Sequence, residues 1–196
     1  MITKKQLRTK RIFDIVLVLL LLPFLIFPII VLIVIATIDT RKFGVFTQKR
    51  VGQYGKLFKI LKIRTLKEGV HQLGHLDKSA TTFGKFLRQT KLDELPQLFN
   101  VLKGDMSFVG PRPDVQGFAD ELEGDDQIIL QVKPGITGEA TLKYKYEELL
   151  LEEQDDPDLY NKTIIWVDKV KINKNYVNNY SFYFDLKLIL KSILDK

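Results

Sequence analysis

Residues 15–36 are an unbroken run of 22 positions, each apolar or proline. A water-soluble domain has little use for such a run, and a bilayer does. As a straight helix it would be about 33 Å long, against a hydrocarbon core of about 30 Å. Pro23 and Pro28 fall inside it, and each removes a helical hydrogen bond and favours a bend. The arm from Ile12 to Leu22 is then about 16 Å long and that from Phe24 to Ile38 about 22 Å, so neither crosses alone. Lys4, Lys5, Arg8, Lys10 and Arg11 precede the run, and Arg41, Lys42, Lys49 and Arg50 follow it. Basic flanks stay cytoplasmic, so two basic ends predict a segment that enters and returns to one face. Residues 1–40 are therefore expected to form a re-entrant helix-break-helix. A single span, or a secretory signal ending near Val34-Ile35-Ala36, are the alternatives. Asp14 is expected to pair with Lys10 and Arg11 at helical spacing.

The rest, 41–196, is long enough for one domain with its own core. Absence of cysteine excludes disulfides and thiolate metal sites. The net charge of +6 is uneven: residues 1–66 carry 13 Lys/Arg against only Asp14 and Asp39. Anionic head groups and phosphates are the expected partners of that basic third. Nucleic acid is not expected, because no binding motif accompanies the charge.

The densest chemistry lies in Lys91–Pro113, KLDELPQLFNVLKGDMSFVGPRP. Leu95, Leu98, Phe99 and Leu102 recur at helical steps, Gly104 is a natural stop, and Pro96 suits a first turn. Asp93 and Glu94 are thus predicted at or just inside a helix N-terminus, where an ionised carboxylate is favoured. Such a group can cap the helix, act as a nucleophile, or bind a hard cation. Arg112, stiffened between Pro111 and Pro113, is either an exposed turn or a held guanidinium for an anionic or planar ligand.

Phe43–Arg64 alternates like a β-hairpin turning at Gly52–Gly55, with Lys62 and Arg64 on one face. Lys67–Ala80 reads as a loop; its His71 and His75 lack a third metal ligand. Residues 114–130 read as an acidic, helix-compatible surface segment. Gly135 and Gly138 flank Ile136-Thr137 and would let backbone approach a ligand closely. Glu147–Asp158 reads as a solvated acidic helix and its exit. Leu186, Ile189, Leu190, Ile193 and Leu194 share a helical face that either packs on the core or lies in the membrane interface.

Taken together, Asp93, Glu94, Leu95, Pro96, Gln97, Asn100, Val101, Gly104, Met106, Ser107, Val109, Gly110 and Pro111-Arg112-Pro113 resemble the signature of the bacterial sugar transferases. These are the small monotopic polyprenyl-phosphate phosphoglycosyl transferases. Further blocks share the resemblance: Lys10-Arg11 with Asp14, Gln48 to Thr65, Thr82 to Arg88, and Lys133 to Gly138. Two places depart from it: Leu22 stands where relatives often have Ser before the proline, and Glu139-Ala140-Thr141 stands where many relatives have Trp or Leu and then Ala-Gln. The resemblance implies an α+β, mainly helical fold: a single compact domain with a re-entrant membrane helix, a β-hairpin and a C-terminal amphipathic helix.

It also implies an enzyme that passes a sugar-1-phosphate from a UDP-sugar to polyprenyl (undecaprenyl) phosphate, releasing UMP. Glycan assembly would start there, on the cytosolic face of the bacterial inner membrane. Asp93 would be the nucleophile and Mg²⁺ contact, with Glu94 beside it. Arg112, Lys62, Arg64, Arg88, Gln97, Pro111, Pro113 and Thr137 would bind substrate. The membrane lipids are partners, a homodimer is allowed, and the expected chain is a small member without further N-terminal spans. A non-catalytic adaptor that binds nucleotide-sugar or recruits glycan enzymes is the alternative. A lipid kinase is disfavoured, because no G-x-x-x-x-G-K-[ST] loop occurs.

Overall fold

The computed structural model describes residues 2–67, 69, 73, 74 and 76–194; His71 and His75 lie outside them. The apolar run becomes α1, Lys4–Thr40, one 37-residue helix opened by a Thr3–Gln6 capping box. It passes through Pro23 and Pro28 without interruption, so the expected helix-break-helix is a single helix missing two rungs of its hydrogen-bond ladder. It is the one helix among the described residues long and apolar enough to cross a membrane. One face of its middle is bare, with Phe24 and Phe27 exposed, while Ile29 is buried.

Both halves of α1 nevertheless rest on the same globular body. Val18 is buried with Ile60, Leu98, Val101 and Met106. Ala36 is buried with Ile63 and Leu87. The predicted Asp14 pairing is replaced by longer-range bonds. Asp14 Oδ1 accepts from Ser107 Oγ and Phe108 N, both at 3.0 Å. Lys10 Nζ instead reaches Asp185 Oδ2 at 2.5 Å, and Arg11 donates to the carbonyls of Val101 and Leu102 at 2.6 and 2.8 Å. Buried charge demands a partner, and these three find theirs on the domain.

The hairpin forms as its alternation predicts. Strand β1, Val45–Val51, pairs antiparallel with β2, Leu57–Ile63, in the register Val45↔Ile63 to Val51↔Leu57. Helix α2 (Leu76–Ser79) is short, and α3 (Thr82–Thr90) carries Leu87 into the core. A 3₁₀ turn, Leu92–Glu94, then leads into α4, Gln97–Lys103. Gly104 ends α4 at φ +97°, and its N–H bonds the carbonyls of Asn100 and Val101, as the stop signal predicts. Asn100 ties α4 to the open edge of β2: its Oδ1 accepts from Leu61 N at 3.0 Å and its Nδ2 donates to Lys59 O at 2.8 Å.

Strand β3, Ser107–Val109, runs parallel to β4, Gly135–Thr137. The glycines around β4 do allow close approach, but of another backbone. A Cβ on Gly135 would stand 2.2 Å from Gly110 N, and one on Gly138 2.3 Å from Gly110 O. The acidic stretch after Pro113 winds as 3₁₀ turns at Ala119–Glu121 and Gly124–Gln131 rather than as an α-helix, and it buries Ile128 and Ile129. Helices α5 (Glu139–Lys143), α6 (Glu147–Glu152) and α7 (Pro157–Tyr160) follow. A π-helical turn, Asn161–Ile165, then opens α8, Trp166–Asn178.

Helix α9, Phe182–Leu194, resolves the open reading of the C-terminus into two faces. Asp185 and Leu188 are buried in the core, whereas Leu190, Ile193 and Leu194 are exposed. The apolar stripe chosen from spacing is therefore mainly the outward one.

Candidate active site

A cleft of about 1430 Å³ collects side chains from almost every element. Leu21 and Leu25 of α1 line it, as do Leu98, Phe108 and Ile136. Its charged residues include Lys62 and Arg64 from the hairpin, Arg88 from α3, Asp93 and Glu94, and Arg112. Six of the predicted site residues thus share one cavity, and Thr137 joins them. Gln97, Pro111 and Pro113 do not line it; all three are buried. Gln97 packs inside the domain, with its Nε2 lacking a hydrogen-bond partner. Pro111 and Pro113 act through the segment they stiffen. That segment is clamped to the hairpin: Val51 N donates to Asp114 O at 2.9 Å and Arg50 Nη1 to Pro113 O at 3.3 Å.

The two acids differ sharply. Glu94 is engaged through one oxygen: its Oε1 accepts from Arg112 Nη2 at 2.6 Å and from Lys62 Nζ at 2.8 Å. Burial alone would raise its carboxyl, but the Arg112 and Lys62 charges outweigh burial and hold it well below the usual carboxylate range. Arg112 is held above its ordinary value by Glu94 in turn. Asp93 is also buried, yet its Oδ1 has no hydrogen-bond partner and its Oδ2 reaches Lys62 only at 4.0 Å. Burial pushes the Asp93 carboxyl up, and Lys62 offsets this only in part. Both acids sit, as predicted, in the first turn of a helix, the 3₁₀ turn that leads into α4, but burial and neighbouring cations, not the helix end, decide their ionisation.

A hard divalent cation needs oxygen donors and keeps several waters when it is Mg²⁺. Among the described residues no group of three His, Cys, Asp or Glu gathers to cage one. Asp93 Oδ1, buried and unpaired, fits a cation that takes one protein carboxylate and completes its shell from phosphates and water.

The cleft also holds residues that sequence reasoning passed over. Lys91, lowered by burial, and Asp114, whose carboxyl burial pushes up to about 6, both line it. Glu147, expected on a solvated face, grips Lys169 Nζ with both oxygens at 2.7 Å. Glu148 stands 3.9 Å from Arg88. Arg64 Nε donates to Phe43 O at 2.9 Å, and its guanidinium lies 5.7 Å from the Phe46 ring centre. Thr137 Oγ1 bonds Ser192 Oγ at 2.7 Å, joining the β4 loop to α9. No local pattern marks Lys169 or Asn173, because only the α8 fold brings them to the cleft.

Residues 5–195 match the bacterial sugar transferase family. The chain belongs to that family. A Bacillus subtilis member named "Putative undecaprenyl-phosphate N-acetylgalactosaminyl 1-phosphate transferase" is 37% identical over 155 residues, 74% of this chain and 83% of the relative. An uncharacterized sugar transferase of the same organism is 34% identical over 187 residues, covering 94% of this chain and 85% of the relative. The UDP-glucose:undecaprenyl-phosphate glucose-1-phosphate transferase of Escherichia coli is 35% identical over 194 residues, 94% of this chain but 39% of the relative. This bacterial sugar transferase therefore spans most of the Bacillus proteins and about two-fifths of the longer enzyme.

Proposed function

We propose that the protein transfers a sugar-1-phosphate from a UDP-sugar to polyprenyl phosphate, of the undecaprenyl kind named in its relatives. The reading rests chiefly on Asp93 Oδ1, a buried carboxylate oxygen left without a partner inside a cleft lined by cations. The shape of that cleft suits the pairing of substrates. Leu21 and Leu25 of α1 offer an apolar wall for a lipid tail, and Lys62, Arg64, Arg88 and Arg112 offer charge for phosphates.

The reaction runs in two displacements. Asp93 Oδ1 attacks the sugar-proximal phosphorus, the bond from that phosphorus to the bridging oxygen breaks, and UMP leaves with the electron pair. An oxygen of the lipid phosphate then attacks the same phosphorus, and the Asp93 carboxylate leaves unchanged. The products are UMP and polyprenyl-diphosphate-sugar. Glu94 does not attack, because Arg112 and Lys62 occupy it; it fixes those two cations where the diphosphate charge must be met. Mg²⁺ held at Asp93 would neutralise charge on the diphosphate that otherwise repels the nucleophile.

Residence in the bacterial inner membrane, with α1 dipping in and returning and the cleft on the cytosolic side, follows from the basic residues on both flanks of the apolar run. The test is intact mass. Protein incubated with UDP-sugar and Mg²⁺ but no lipid acceptor gains one sugar phosphate, and the Asp93→Asn variant does not. Normal product formation with no mass gain, or turnover by Asp93→Asn, overturns the covalent route.

A further inference from the structure

Part of the cleft wall takes no part in the chemistry above. Lys169 and Asn173, four apart on α8 and so on one face, line it with Asp114 and Glu147. Asn173 is only 5% exposed, yet among the described residues no hydrogen bond reaches its side-chain amide. The half-buried Asp114 side chain has no hydrogen bond either: its backbone carbonyl accepts from Val51 N, while its carboxyl lines the cleft with Lys169, Arg50 and Arg112 acting on it only through space. Polar groups drawn into a protein are ordinarily paired, so a buried carboxamide and a half-buried carboxyl, both open to the same cleft without a hydrogen bond, point to a ligand.

The chemistry of the wall narrows that ligand. Asp114 and Glu147 balance Lys169 and Arg50, so this wall offers no net positive charge and a phosphate is drawn to Lys62 and Arg112 instead. A flat base would want an open aromatic face. The nearby Tyr144 ring is already engaged by Lys143 and Lys169 at 5.5 and 5.6 Å, and its hydroxyl donates to Asp168 at 2.8 Å. Carboxyl, carboxamide and ammonium together offer mixed donors and acceptors, which suit hydroxyl groups that both donate and accept.

We propose that Asp114, Lys169 and Asn173 form the subsite for the sugar of the donor and decide which sugar is transferred. The proposal rests on reading the cleft as a UDP-sugar site. Lys169 is preset by Glu147, and Asp114 and Asn173 complete their hydrogen bonds only on a sugar whose hydroxyl or acetamido groups match. A site built to hydrogen-bond a substrate group rejects an analogue that lacks it, because its own polar groups are then stranded.

The test measures kcat/KM from UMP release for UDP-glucose, UDP-galactose, UDP-N-acetylglucosamine and UDP-N-acetylgalactosamine. Undecaprenyl phosphate and Mg²⁺ are present, with the full chain in detergent. Asn173→Ala and the near-isosteric Asp114→Asn are compared with wild type, and inhibition by UMP is measured in parallel. Asn173→Ser replaces Asn173→Ala if that variant melts early. The expected result is a change of about tenfold in the ratio between the best sugar and a poorer one, with UMP inhibition held within about twofold. Equal loss for every sugar, with or without weaker UMP inhibition, overturns the subsite, as does no change at all. Wild-type protein that releases no UMP from any donor overturns the transferase reading itself and this subsite with it.

Discussion

Asp93 and Glu94 are neighbours with opposite thermodynamic roles. Glu94 titrates far below its unfolded value, so its stabilisation is fully present above the ordinary carboxylate range and fades only as pH falls through the depressed folded value. Asp93 titrates above its unfolded value, so stability is lost as pH rises from the ordinary carboxylate range through the raised folded value. Glu94→Gln should therefore destabilise by about 1–3 kcal/mol, less than for a fully buried pair because the Lys62 and Arg112 side chains that lose their partner are part-exposed, and Asp93→Asn should raise the melting temperature while abolishing transfer. Thermal melts at pH 7 check both signs. The same raised value gives kcat/KM an acid limb above the range of a free aspartate. Lys62→Met should move that limb to higher pH, because Lys62 is what lowers the Asp93 carboxyl; a pH–rate profile shows the shift. The acid pair was legible in DELPQ, but the division of labour was not. It is set by Lys62, 32 residues before Glu94, and Arg112, 18 residues after it.

Elements that announce themselves by period were easy to read: α1 by its apolar run, β1 and β2 by alternation, α4 by its steps of three and four. What periodicity misses is where an element's polar residues go. Lys10, Arg11 and Asp14 look like a local cluster on α1, yet each bonds a separate part of the domain. Lys10→Met would leave the buried Asp185 without its cation, keeping only the Tyr176 and Tyr180 hydroxyls at 2.7 and 3.1 Å. The expected cost is about 3–5 kcal/mol in a denaturant melt, with part recovered by Lys10→Met/Asp185→Leu. The β3–β4 pair carries the other element-scale lesson. Its glycines looked like ligand contacts and proved to be strand contacts. Gly138→Ala, whose new methyl would meet Gly110 O, should cost about 1–3 kcal/mol by overpacking and show as a lowered melting temperature.

At the scale of the whole molecule, the basic first third and the bare apolar face of α1 set how the protein meets a membrane. A cysteine placed at residue 2 and another at residue 45 should both react with an impermeant thiol reagent from the cytosolic side of inside-out vesicles. Reaction from opposite sides would show α1 to be a span. Composition is what this orientation is predicted from, because charge and hydropathy are sums along the chain. The cleft was legible only in part, since its wall is assembled across distance: Asp114 and Lys169 meet through folds that no short window contains.

The Lys10–Asp185 bond also sets a timetable. Its partners are separated by 175 positions, which a ribosome covers in about 10–35 s at ordinary elongation speeds. For that interval a newborn chain has its lipid-seeking helix made and its anchoring ammonium still waiting. Until the final helix emerges to receive it, the nascent transferase must hold together without its latch.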